Sequence, residues 1–290
     1  GTLPGNVFLD LHNAGLIPDP LVTDNASKVQ WVSENNWIYR SQSFSFSQDV
    51  LDQAHVELHL EAVDTYAEVY LNGVLIQTCN NAFRIWKMEI APHLQPYENV
   101  LEIHLSSANA KGKELLEQQA HPLPGEAIRA VTRKPQFQYG WDWAPKLNTM
   151  GVHRPLKIRA WNDLIIRDIS CETISIENGK AILDVTVTFE LNGNSAPIHN
   201  AVLTDESGKV AGFFRPEELK KGVNTTHWKI EIDDPKLWWT HDLGEPHLYT
   251  LTWKMNTTAD KDVAEIKTGI RTIELITEPD AIGETFFFEL

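Results

Sequence analysis

From residue 183 to residue 191 every second side chain is apolar. Leu183, Val185, Val187, Phe189 and Leu191 alternate with Asp184, Thr186, Thr188 and Glu190. A period of two puts one set of side chains on one face of an extended strand, so this segment is a half-buried strand and not a helix. The same period recurs at Val56, Leu58, Leu60 and Ala62, and again at Ala67, Val69 and Leu71 against Tyr66, Glu68 and Tyr70. It returns at Leu101, Ile103 and Leu105, within Leu156–Ala160, at Trp228, Ile230 and Ile232, and at Tyr249, Leu251 and Trp253. Asn72-Gly73 ends one run just before Val74-Leu75-Ile76, which is the dipeptide a tight hairpin favours. Further turn signals fall at Asn178-Gly179, Asn192-Gly193 and Ser207-Gly208. Helical spacing is confined to short pieces: Val7, Phe8, Leu11 and Ala14, stopped by Gly15 before Pro18, and an exposed helix over residues 111–119. The chain is therefore all-β.

A second set of strands begins between Asp163 and Asp168, which marks a boundary. The strand spacing beyond it predicts an immunoglobulin-like sandwich, without that fold's disulfide. A chain of 290 residues has room for about two such domains. Cys79 and Cys171 lie one in each, and read as two free buried thiols. No Cys-x-x-Cys pattern or His/Cys cluster suggests a metal site, and the eleven histidines have no ligand spacing. A net charge of −15 argues against nucleic-acid backbones and anionic membrane surfaces. No apolar run approaches the roughly 20 residues that cross a bilayer. Sequons at Asn25, Asn224 and Asn256 are as many as chance supplies and assign no compartment. A periplasmic or secreted bacterial setting is expected, with cytoplasm or lysosome as alternatives.

Ten tryptophans are many for a chain of this length, and two of them flank one carboxylate in Gln136-Phe137-Gln138-Tyr139-Gly140-Trp141-Asp142-Trp143-Ala144-Pro145. An ionised carboxylate accepts hydrogen bonds from two neighbouring sugar hydroxyls, while an indole covers the apolar face of the ring. Aromatic residues in a β-rich chain usually form core. A carboxylate between two indoles fits a core poorly, because burial without a partner is costly. Arg133 and Lys134 read as residues that hold this loop, and Trp238, Trp239, Tyr249 and Trp86 as packing. The glutamates at 114, 117, 217 and 218 read as solvated faces; Asp64 and Glu68, on the strand leading into the Asn72-Gly73 turn, carry no assigned chemistry.

Six blocks in order carry a resemblance: residues 4–20, 64–76, 133–147, 151–158, 235–252 and 269–290. Together they resemble the amino-terminal part of the family 2 glycoside hydrolases, most closely the β-mannosidases. The Asp64-to-Gly73 block is shared across that family, whereas Leu16-Ile17-Pro18-Asp19-Pro20 and Gly140-Trp141-Asp142-Trp143 point to β-mannosidase. Ala144 stands where glycine is usual, Asn6 where threonine is usual, and Thr240 where proline is usual; these touch loop shape and leave Trp141 and Asp142 unaltered.

The resemblance implies a jelly-roll, galactose-binding-like sandwich over 1–163, an immunoglobulin-like sandwich over 164–275, and a lead-in at 276–290 to a (β/α)8 barrel beyond Leu290. It implies a retaining exo-glycosidase with its acid/base and nucleophile glutamates on that barrel, so this chain would hold no catalytic residue, metal or cofactor. Asp142 and Trp141 would contact the substrate, a mannose-terminated oligosaccharide. No nucleic acid or membrane insertion is expected. The apolar run Thr285–Leu290 likewise predicts sequence continuing past it, since a bare apolar edge invites aggregation. Two other functions remain open: a stand-alone carbohydrate-binding module, and accessory domains of a family 2 glycosidase with another sugar specificity.

Overall fold

The computed structural model describes residues 1–123, 125, 127–193, 197–212 and 219–290. The chain forms two compact units, Gly1–Ala160 and Trp161–Leu290.

The first unit is a jelly-roll sandwich. One sheet has the order Trp37–Arg40, Leu101–Ser106, Tyr66–Leu71, Val74–Asn80. A second places Lys157–Trp161 and Ile85–Glu89 on either side of His55–Glu61. A third, short sheet joins Gly5–Asn6 and Val63–Asp64 through Gly151–Val152. Val56, Leu58 and Leu60 from one sheet and Ala67, Val69, Leu71, Ile103 and Leu105 from another belong to one buried core. Each of the valine, leucine and isoleucine side chains contributes about 1.5–3 kcal/mol through its removal from water.

Asn72 and Gly73 take φ of 53° and 80°, the left-handed pair that a two-residue hairpin turn requires. The first helix, Val7–Asn13, starts where Asn6 accepts the Leu9 N–H and stops before Gly15 at φ 70°. The other expected helix runs Ala108–Glu117 and is not fully exposed, since Ala108, Asn109 and Gly112 are buried. The strand expected over 156–160 occupies Lys157–Trp161.

One alternation misleads. Strand His55–Glu61 buries Glu57 and His59 along with its apolar residues. Their side chains pair at 2.8 Å, which satisfies groups that period-two reading assigns to solvent. Ala62, grouped with this strand by its spacing, lies beyond its end at φ 54°.

The second unit packs a sheet of Leu164–Glu177, Lys180–Leu191 and Gly222–Asp233 with one ordered Gly208–Gly212, Ile198–Asp205, Tyr249–Asn256, Lys261–Thr268. These antiparallel sheets form the immunoglobulin-like sandwich. Its core takes Leu183, Val185, Val187, Phe189 and Leu191 from one sheet and Ala201, Leu203, Leu251, Trp253 and Met255 from the other. Tyr249 is buried there, and its hydroxyl accepts the Lys236 N–H. Trp238 and Trp239 are half-buried instead, each lying over a glycine, Gly269 and Gly244. Asn224 is buried and its amide bonds the Lys220 and Gly222 carbonyls, so that sequon is closed to a glycan in the folded chain. The glutamates at 217 and 218 lie outside the described residues. Among the described residues no helix is long and apolar enough to cross a membrane.

The apolar segment near Leu290 finds its partner upstream: Phe287–Glu289 pairs with Glu274–Ile276, leaving Phe286, Phe287 and Phe288 exposed.

Both cysteines are free thiols. Burial pushes the Cys79 thiol up to about 12 and raises Cys171 as well. Thiolate is the reactive form, so iodoacetamide at pH 8 is expected to leave Cys79 unmodified until denaturant is added. Rapid labelling of Cys79 in the folded protein, read by peptide mass, would contradict this packing.

Candidate functional site

The aromatic stretch forms a short 3-10 turn, Gln136–Tyr139, followed by a tight bend. Gly140 takes φ 103°, a conformation L side chains rarely adopt, and so redirects the chain outward. Trp141 and Ala144 then exchange backbone hydrogen bonds at 3.1 and 3.2 Å, which closes a tip carrying Asp142 and Trp143.

The bend sorts the rings. Trp141 is 50% exposed, Trp143 78% and Phe137 50%, a high level for side chains of this size. Tyr139 turns inward, 3% exposed, with its hydroxyl 2.7 Å from Thr132 Oγ1. Of the four rings in this stretch, three face solvent and Tyr139 is core. Asp142 is exposed, and among the described residues its carboxylate makes no side-chain hydrogen bond or ion pair. The Arg129 guanidinium lies 5.8 Å from the Trp141 ring centroid, a cation–π placement, and Gln136 Nε2 donates to the Arg129 carbonyl at 2.7 Å. A solvent-exposed carboxylate flanked in the chain by two exposed indoles, with a cation over one of them, is chemically suited to polyhydroxylated rings.

Beneath the tip lies a buried polar cluster that the sequence did not disclose. Asp64, 1% exposed, accepts from Lys134 Nζ at 2.6 Å, Thr65 Oγ1 at 2.5 Å, Thr149 Oγ1 at 2.8 Å and Gln138 Nε2 at 3.2 Å. His153 Nε2 approaches the same carboxylate at 3.2 Å. Lys134 is itself 1% exposed and also donates to the Thr149 carbonyl at 2.5 Å. Burial alone would raise the Asp64 carboxyl; the His153 hydrogen bond and the Lys134 ammonium outweigh it and hold the group well below the usual carboxylate range. Burial draws Lys134 below the ordinary lysine value despite the opposing pull of Asp64.

Lys134 thus holds the loop's base. Arg133 engages the framework through its backbone, accepting the Ala82 N–H. Trp86 is buried in the core, with Arg84 over its ring at 4.7 Å. Among the described residues no group of three or more His, Cys, Asp or Glu side chains is arranged to hold a metal. The signal that could have found Asp64 was a lone carboxylate directly after Val63 in an apolar strand, which needs a cation from elsewhere in the chain.

Fold and loop together define a two-sandwich all-β protein whose first sandwich presents an aromatic and carboxylate tip. Residues 1–154 match the glycosyl hydrolase 2 galactose-binding domain-like model, and residues 165–271 match that of glycosyl hydrolases family 2. The chain belongs to glycosyl hydrolase family 2. Beta-mannosidase B of Thermothelomyces thermophilus is 32% identical over 297 residues, covering 99% of this chain and 34% of that protein. The crystal structure of a beta-D-mannosidase from Dictyoglomus thermophilum superposes with a TM-score of 0.93 at 32% identity, over 100% of this chain and 36% of that one. A putative beta-galactosidase from Bacteroides fragilis, 21% identical with a TM-score of 0.64 over 88% of this chain and 35% of its own, shares the fold alone. This chain spans 34% of the length of the curated relative.

Proposed function

We propose that this chain is the amino-terminal, non-catalytic portion of a β-mannosidase that removes terminal, non-reducing β-D-mannose by retaining hydrolysis. Residues 1–163 serve as the galactose-binding-like domain, 164–275 as the immunoglobulin-like domain, and 276–290 lead toward a (β/α)8 barrel. The two carboxyls of a double displacement, about 5–5.5 Å apart, belong to that barrel. By itself the chain is inactive. Asp142 and Trp141 contact the substrate: the carboxylate accepts hydrogen bonds from hydroxyls of the terminal mannose, and the indole borders the ring. The natural partner is a mannose-terminated oligosaccharide.

One observation carries the reading. Asp142 stands exposed and, among the described residues, without a side-chain partner, flanked in the chain by the exposed Trp141 and Trp143. The 32% identity of two proteins named as beta-mannosidases, each over nearly the whole chain, supports mannose over other sugars.

Initial rates on aryl β-mannoside, β-galactoside and β-glucuronide, measured with the full-length protein, test this. Selective cleavage of the mannoside is expected. Preference for another sugar would replace the specificity, and saturable mannose binding with no hydrolysis would favour a binding module.

A further inference from the structure

The buried cluster under the tip joins two segments that flank it. Lys134 and Gln138 lie before the tip; Leu147 and Thr149 lie after it. Both sides converge on Asp64, through Lys134 Nζ and Gln138 Nε2 from one and Thr149 Oγ1 from the other. Gln138 ties the two sides again, accepting the Thr149 N–H at its Oε1 (3.1 Å) and the Leu147 N–H at its carbonyl (3.0 Å). Asp64 is fixed in turn by the short sheet, where it pairs with Gly151. Residues 141–146, including Trp141 and Asp142, therefore project from a base closed by one carboxylate contributed by a distant part of the chain.

We infer that Asp64 is a positioning residue for sugar recognition: it acts through Lys134, Gln138 and Thr149 to hold the Trp141–Asp142 tip in its ligand-binding geometry. This inference rests on the proposed role of Asp142. A buried carboxylate needs its remaining lone pairs filled as well as its charge neutralised. A single cation would neutralise the charge, and the acceptor oxygens of Asp64 also take donors from both sides of the loop. Charge-assisted hydrogen bonds are the strong and directional ones, and a side chain locked by such a base keeps its rotational freedom small before ligand arrives.

Asp64→Asn leaves a buried ammonium unpaired and can unfold the unit, so the informative substitutions are on the loop side. Thr149→Val keeps the side-chain shape and removes the donor to Asp64; Thr149→Ser keeps the donor. Leu105→Ala serves as the control, because it weakens the same unit's core while removing none of the cluster's hydrogen bonds. Each is made in the full-length protein. Hydrogen exchange of the 136–147 peptide and the separate kcat and KM on aryl β-mannoside are recorded.

For Thr149→Val, exchange in 136–147 is expected to accelerate selectively, with KM raised and kcat/KM lowered about tenfold, the scale of one hydrogen bond to a charged group. Thr149→Ser should restore both. Equal behaviour of the Val and Ser variants, or acceleration spread through the unit as in Leu105→Ala, overturns the inference and leaves the cluster as fold support. If the loop loosens in Thr149→Val and kcat/KM does not change, the positioning role is overturned, whereas the substrate-binding role of Asp142 falls only if Asp142→Ala also leaves kcat/KM unchanged.

Discussion

Asp142→Ala in the full-length protein is expected to lower kcat/KM for an aryl β-mannoside by one to two decades. The magnitude follows from the chemistry assigned to the side chain. A hydrogen bond between a carboxylate and a sugar hydroxyl contributes about 1.5–3 kcal/mol, and each 1.4 kcal/mol is about tenfold. Asp142→Asn keeps the size and one acceptor oxygen while removing the charge, so its loss should be smaller. Stability should hardly change in either variant, because the carboxylate is exposed and has no side-chain partner among the described residues. That separation makes the test clean: a fall in kcat/KM with unchanged thermal unfolding reports recognition and not folding. Values within twofold of the parent would remove Asp142 from the site, and the argument for Trp141 would then rest on the exposure of its ring alone.

How much of this was legible beforehand depended on whether a feature was local. Within strand Lys180–Leu191 the stretch from residue 183 to 191 announced itself because one face is apolar and the other polar, and its buried residues there are the predicted ones. The Asn72-Gly73 turn was equally readable, since both residues tolerate the left-handed conformation it needs. Glu57 and His59 were not readable. A buried, hydrogen-bonded polar face has the same pattern in sequence as a solvated one, and only their 2.8 Å pairing distinguishes the two.

At the loop the outcome was similar. The exposure of Trp141, Asp142 and Trp143 accords with the difficulty of burying a carboxylate between indoles. Tyr139, two residues before Trp141 in the same aromatic stretch, is core, because the positive φ of Gly140 separates an inward-facing segment from the outward tip. Asp64 was the largest omission. Its partners Lys134, Gln138 and Thr149 are 70 or more residues away, and no local period encodes that distance. A carboxylate that looked like part of a hairpin framework proved to be the point where both sides of the recognition loop meet.

The same pair sets the second large expected effect. Lys134→Met should destabilise the first unit by about 3–5 kcal/mol, because removing one partner leaves the other charge buried and uncompensated. For a unit of this size each kcal/mol moves the midpoint by about 2–4 °C, so the melting temperature should fall by about 6–20 °C. Calorimetry of the full-length protein measures it, with hydrogen exchange in Tyr66–Leu71 identifying the first unit's transition. The acid limb gives an independent check. The folded-state pKa of Asp64 is depressed, so its contribution is fully present above the unfolded carboxyl value, about 4, and is lost as pH falls below it toward the depressed folded value. Lys134→Met removes the ammonium that helps to hold that value down, and the acid-dependent loss of stability should flatten with it. The double variant Asp64→Asn with Lys134→Met removes both charges and should recover much of the stability, since a buried pair replaced as a whole often costs little. A loss under 1 kcal/mol in the single variant would mean that Asp64 is neutral or hydrated at neutral pH, and the charge-assisted hold on the loop would have no basis.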